Sequence, residues 1–292
     1  MVLRKKIITI FLLIFIHVFF PGCSTTNKTV PESLPREIRG KLEIHFINVG
    51  QGDSTFINVN RSDNILIDVG SPAGGPDVVR YLKTLGINKI DHVIFTHPHD
   101  DHIGGIFSLL SDFEVINYYD NGFSNFNSDI YGDYIKTVRE NLAHYNVLQA
   151  GESLHIGSLE VDVLNPLLPP TGNLNEDSIV LKLNFGDTGI LLSGDMGRRG
   201  ERRHINIGTE LSSQVIKIGH HGENDVCSDD FLKSVNPEAA IISVSKINKY
   251  ARPHPELLHR LEKAGVIIYR TDRNGHIVLK SNGRTYSINT EN

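Results

Sequence analysis

The chain has 292 residues, 39% hydrophobic and 22% charged, with 29 basic against 34 acidic side chains and a net charge of −5. That composition suits a globular protein of one large domain or two small ones, with a sizeable core. It argues against a protein that grips nucleic acid nonspecifically, because no long Lys/Arg stripe is present to neutralise phosphates.

Only the first residues depart from this picture. MVLRKK is a basic leader, and residues 7–20, IITIFLLIFIHVFF, form a 14-residue apolar run. Such a run is short of the roughly 20 residues that a membrane-spanning helix needs. It ends at PGCSTT, where a small residue precedes Cys23. Residues 1–22 thus have the layout of a secretory signal peptide. A cysteine directly after it resembles the bacterial lipoprotein signal, in which that cysteine is lipidated and becomes the new N-terminus. The alternative is an uncleaved anchor with a buried or free Cys23. Both predict an extracytoplasmic protein tethered to a membrane. Removing residues 1–22 takes away Arg4, Lys5 and Lys6, leaving 26 basic against 34 acidic side chains, a charge of about −8. Cys227 is the other cysteine, so a lipidated Cys23 leaves no disulfide to staple the fold.

Residues 23–40 are polar with two prolines, as in a flexible tether, and residues 41–292 read as the folded domain. LEIHFINVG, STFINVN and NILIDVG read as three successive strands. PDVVRYLKTLGI has helical spacing, with Pro76 near its start and Gly86 as its stop. KIDHVIFT is a buried strand, GIFSLLSDF a short helix and VINYYDNG a strand. DYIKTVRENLAHY reads as a helix, SLEVDVLNP as a strand, and SIVLKLNFGDTGILLSGD as a hairpin turning at Gly186-Asp187. SSQVIKIGHHG is a strand ending in histidines; DDFLKSVNP, AAIISVS and PELLHRLEKAG read as helix, strand, helix. VIIYRTD and GHIVLKSNGRTYSIN supply the last strands. Strands in runs with helices between them predict a layered α/β sandwich.

The densest chemistry is THPHDDHIGG, residues 96–105, directly after a buried strand. Imidazole and carboxylate are good ligands for zinc and manganese. His97 and His99, two apart in an extended segment, point to one side and can clasp one ion. Asp101 and His102, at the start of a helix marked by Gly104-Gly105, can reach a second. Two ions at such spacing can hold a bridging hydroxide and both oxygens of a displacement. The bland alternative, a polar helix cap with incidental histidines, accounts poorly for five ligand-type residues in six positions. LLSGDM places Asp195 after a strand where a carboxylate could bridge two ions, although a plain turn aspartate looks the same. KIGHHG puts His220 and His221 at another strand end, where surface or packing histidines are the alternative.

HPHDDH, with LIDVG upstream and SGD and HHG downstream, resembles the metallo-β-lactamase superfamily. HFINVGQGDS, NEDSIVLKL, LLSGD, KIGHHG and RPHPELL further resemble the extracytoplasmic hydrolase domain of ComEC competence proteins and its stand-alone relatives. The resemblance covers nearly all of residues 41–292 and implies a four-layer αββα sandwich with two metal ions, zinc or manganese, at one edge. It implies His97 and His99 on the first metal, Asp101 and His102 on the second, Asp195 bridging and His221 completing the second site. Spacing alone leaves open which of His220 and His221 is the ligand. The other would face the substrate as a catalytic group, along with Asp101 and His254. Asp68 would orient a ligand histidine and Asp53 would lie near the mouth of the site. Where many members have another histidine this chain has Asn175, and Arg252 stands where relatives often have histidine.

The implied activity is metal-assisted hydrolysis of a phosphodiester, with DNA as the sharpest candidate. Hydrolysis of small phosphoesters, lactones or β-lactams is the enzymatic alternative. A non-catalytic surface lipoprotein would instead be expected to have lost its ligands.

Overall fold

The computed structural model describes residues 40–140, 144–247 and 249–292. The signal-peptide reading, and the tether reading up to residue 39, lie outside these residues. Chain contacts gather Ile38–Asn292 into one compact unit.

Side-chain alternation explains the layers. In β1 (Leu42–Phe46), β2 (Thr55–Val59) and β3 (Asp63–Ile67), residues such as Ile44, Phe46, Ile57 and Ile65 enter one apolar layer, while Phe56 and Leu66 enter a second. Both faces are covered, so these strands read as almost unbroken apolar runs. β9 (Val180–Phe185) and β10 (Thr188–Leu192) send Leu181, Leu183, Phe185 and Ile190 into that first layer and Val180 and Leu191 into a third.

Two sheets result. One has the order β15-β14-β1-β2-β3-β4-β5-β6, completed by β4 (Lys89–Ile94), β5 (Glu114–Asp120), β6 (His144–Val147), β14 (Ile277–Ser281) and β15 (Tyr286–Thr290). The other has the order β13-β12-β11-β10-β9-β8-β7, with β7 (Ser153–Ile156), β8 (Leu159–Asn165), β11 (Val215–Lys217), β12 (Ala239–Ile242) and β13 (Ile267–Arg270). Helices α1 (Gly75–Thr84), α3 (Ile106–Asp112) and α4 (Asp129–Glu140) cover the first sheet through Val78, Leu82, Leu109 and Tyr134, and the short α2 (Asp100–Ile103) carries Asp101 and His102. α5 (Arg198–Ile207), α6 (Asp229–Val235) and α7 (Pro255–Lys263) cover the second through Ile205, Phe231, Leu257 and Leu261. The four-layer αββα sandwich is therefore the fold.

Some elements differ from the sequence reading. The helix expected to run through Tyr145 does not reach it: α4 is described as Asp129–Glu140, and His144–Val147 is an edge strand with all four residues exposed. Exposure on both faces removes the alternation that would have marked it. β7 is a second weak edge strand, with one fully buried residue. α5 carries no apolar stripe to announce it, because its buried residues are Gly200, Glu201 and His204.

Parallel pairing places the site. β3 through β6 are parallel in the first sheet, and β10 through β13 in the second. The loops that leave the carboxyl ends of β3, β4, β10, β11 and β12 carry Asp68, the histidine-rich motif, Asp195, His220-His221 and Ser243. Strand carboxyl ends are where open α/β sheets bind ligands. There the backbone N–H of Ile179 donates to Thr96 O at 2.8 Å, joining the two sheets beside the site.

Candidate metal centre

Thr96 is the hinge of the motif. Its backbone N–H and its Oγ1 each donate to Asp68, at 2.8 Å. Because the hydroxyl proton goes to Asp68, Oγ1 accepts from Nδ1 of His97 at 3.1 Å. Asp68 Oδ2 also lies 2.7 Å from Nδ1 of His102, and Nδ1 of His221 donates to Ser243 O at 3.2 Å. Three buried histidines are therefore each held by Nδ1, which leaves Nε2 as the ligand atom. Such outer partners fix the tautomer of metal-binding histidines.

The Nε2 atoms converge on two carboxylates. Asp195 Oδ2 is 3.3 Å from His102 Nε2 and 3.8 Å from those of His97 and His221. Its other oxygen accepts from the His220 backbone at 3.0 Å. Asp101 Oδ2 is 3.3 Å from His221 Nε2, and Oδ1 is 3.9 Å from His102 Nε2. His99 presents Nδ1 to His97 Nε2 at 2.9 Å. Ligand atoms about 2.0–2.1 Å from one ion lie about 2.9–3.4 Å apart at ordinary coordination angles. The short contacts match that edge length. Among the described residues two ligand groups gather here, His97 with His102 and Asp195, and Asp101 with His102 and His221, while a third sets Asp53 and Asp68 beside His102.

The donor set fits metal ions on independent grounds. The Nε2 atoms of His102 and His221 are fully buried with no hydrogen-bond partner, a costly arrangement unless a cation takes the lone pair. Charge points the same way. Burial alone would raise the pKa of Asp195, but His102 and His221 beside it hold it well below the usual carboxylate range. Asp101 is likewise lowered against its own burial by His221 and His102. Burial opposes charging His102, yet Asp195 and Asp68 push its pKa well above the ordinary value. His221 is raised against burial by Asp195, Asp53 and Asp101. Burial and the neighbouring His102 lower His97 and His99. The carboxylates thus concentrate negative charge that a bound cation would neutralise.

Backbone conformation serves the same end. Asp68, His220 and His221 have φ of 57°, 48° and 53°, the left-handed region that side chains other than glycine seldom occupy. Such strain clusters at functional sites. Gly52, at φ +121°, packs so tightly that a Cβ would sit 2.2 Å from Asp101 O.

His221, rather than His220, joins the ligand groups. His220 Nε2 lies 3.2 Å from Asn175 Nδ2 and 3.1 Å from Arg252 Nη2, so this ring stands beside the metal centre with Asn175 and Arg252 around it. His254 lies outside the ligand groups: its Nδ1 accepts from the Glu256 backbone and caps α7. Asp53, expected near the mouth, is 1% exposed and pairs with Lys217, itself 4% exposed. Sequence reasoning passed over that lysine. Its signal was a lysine inside an apolar strand, a position that requires a counter-ion.

The Metallo-beta-lactamase superfamily model matches residues 47–246. The chain belongs to the metallo-β-lactamase superfamily. ComE operon protein 3 of Bacillus subtilis is 30% identical over 266 residues, 84% of this chain and 34% of that protein. Competence protein ComA of Neisseria gonorrhoeae is 28% identical over 84% of this chain and 33% of its own length. The chain thus spans about a third of these curated relatives and corresponds to the metallo-β-lactamase domain of ComEC-like competence proteins. Among solved structures, the metallo-β-lactamase fold protein YhfI of Bacillus subtilis superposes with a TM-score of 0.56 at 12% identity, covering 82% of this chain and all of that one. The superfamily is one of hydrolases whose fold typically carries two metals, and the His/Asp groups described above are those that would hold them here.

Proposed function

We propose that the protein is a metal-dependent phosphodiesterase that cleaves DNA outside the cytoplasm, tethered to a membrane by lipid on Cys23. The observation that carries the metal-dependent hydrolase is the convergence of three Nδ1-anchored histidines on Asp101 and Asp195, with the buried Nε2 atoms of His102 and His221 unpartnered. DNA is supported by relatives named for competence and by a third match, Recombination protein 2 of Haemophilus influenzae, 28% identical over 80% of this chain.

His97, His99, Asp101, His102, Asp195 and His221 would together hold the ions, His102 belonging to both ligand groups. Histidine with carboxylate suits zinc, manganese or iron. When bound, such ions polarise a phosphoryl oxygen and make water acidic enough to attack at neutral pH. The chain's own groups supply the rest. Asp101 stays ionised and, with Gln51 donating to its Oδ2 at 3.3 Å, orients the attacking water. Arg252 and Asn175, whose donors meet at His220, offer two N–H groups to a phosphate oxygen at the rim.

The test is incubation of the zinc- or manganese-loaded protein with linear single- and double-stranded DNA. An Asp101→Ala, His102→Ala double variant runs alongside. Metal-dependent cleavage lost in the variant is expected. Intact DNA despite bound metal would redirect the assignment to small phosphoesters or lactones.

A further inference from the structure

Beside the metal centre lies a surface that the metal-ligand groups do not use. Arg252 links the two. Its side chain is 11% exposed, its Nε donates to Glu223 Oε2 at 2.9 Å, and its Nη2 reaches His220. The guanidinium carbon also lies 4.8 Å from the ring centroid of Tyr250, with Lys249 Nζ 5.1 Å from the same centroid. Tyr250 is nonetheless 49% exposed. Within four consecutive positions, a half-exposed ring, a lysine and a guanidinium clamped by Glu223 adjoin His220. A second exposed ring, Phe126 at 90%, is carried by a loop fastened to the histidine motif: Asn125 Nδ2 donates to Pro98 O at 2.9 Å, and Ser128 Oγ donates to Asp100.

We propose that Tyr250, Lys249 and Arg252 form a nucleotide subsite that stacks one base and binds the adjoining backbone phosphates of a single-stranded nucleic acid entering the metal centre. This deepens, and rests on, the phosphodiesterase reading. A base can stack on Tyr250 only if it is unpaired and splayed from its neighbour, a freedom that duplex DNA does not offer. Aromatic platforms beside a short cationic track are how single strands are held without sequence readout. The arrangement also reconciles a net charge of −5 with a polyanionic substrate, since cations are needed only along the one or two phosphates next to the cut.

Binding is measured by fluorescence anisotropy of a labelled 12-nucleotide single strand and of the matching duplex, in EDTA so that no turnover intervenes. The wild-type protein is expected to bind the single strand more tightly than the duplex. Tyr250→Ala should weaken single-strand binding by about tenfold, the scale of one lost base stack, and Tyr250→Phe should restore it. Lys249→Ala should lower the slope of log affinity against log salt by about 0.7, one phosphate contact. Equal binding by wild type and Tyr250→Ala, preference for the duplex, or no binding at all would overturn the subsite. Hydrolysis of methyl p-nitrophenyl phosphate by the metal-loaded wild type is scored separately. Its absence would refute the phosphodiesterase reading while leaving the binding result readable.

Discussion

Asp68 Oδ2 lies 2.7 Å from Nδ1 of His102 and also accepts from Thr96 Oγ1, whose oxygen in turn takes the proton of His97 Nδ1. One buried carboxylate thus sets the tautomers of two ligand histidines. Asp68→Ala should loosen metal binding by about 10–100-fold, the usual cost of removing such a partner. Competition with a calibrated chelator reads the change. Unaltered affinity would show that ring packing alone orients His97 and His102.

The ion pair between Lys217 and Asp53 sits behind His221, whose Nδ1 is 3.8 Å from Asp53 Oδ1. Lys217→Met would strand a buried carboxylate and should cost about 3–5 kcal/mol of stability. Replacing both, as Lys217→Met with Asp53→Leu, should recover most of that loss. Urea unfolding midpoints of the two variants test this, and a double variant no better than the single would contradict it.

How much of this was legible in the sequence depends on what each residue must do. The layers could be read because β1, β2, β9 and β10 bury both faces and so carry long apolar runs. The ligand motif could be read because metal chemistry compresses His97, His99, Asp101 and His102 into six positions. Choosing between His220 and His221 was beyond spacing, since it depends on their left-handed backbone, which turns His221 Nδ1 to Ser243 O and His220 towards Arg252. α5 escaped for a different reason: it turns the polar groups of Glu201 and His204 into the protein, where Glu201 accepts from the Ser228 backbone at 2.9 Å.

Two buried histidines away from the metal centre should make the fold acid-sensitive. Burial lowers both His45 and His204 from 6.5 to about 4. The unfolded chain therefore takes up these protons first as pH falls. Their contribution is fully present above pH 6.5 and is lost on descent to about 4. Each is worth about 3 kcal/mol across that window. Unfolding midpoints measured across it should fall steadily, and His204→Leu should flatten the slope by about one proton's share. An unchanged slope would contradict the assignment.

Gly52 should tolerate no side chain. Its φ of +121° and the 2.2 Å gap to Asp101 O mean that Gly52→Ala must push the Asp101 loop outward. A loss of about 1–3 kcal/mol is expected from the backbone alone, together with weaker metal retention at the group containing Asp101 and His221. Thermal melts with and without added zinc separate the two effects. A variant with wild-type metal retention would show that the loop can shift without moving its carboxylate.

His97, His99, Asp101, His102, Asp195 and His221 converge as the ligands of one metal centre. Metal content per chain, measured by plasma mass spectrometry after loading with zinc or manganese and exhaustive dialysis, tests it most directly. Two ions per wild-type chain and loss of both in Asp195→Ala are expected, because that carboxylate faces all three Nε2 atoms. Wild-type protein emerging free of metal, or Asp195→Ala retaining both ions, would contradict it.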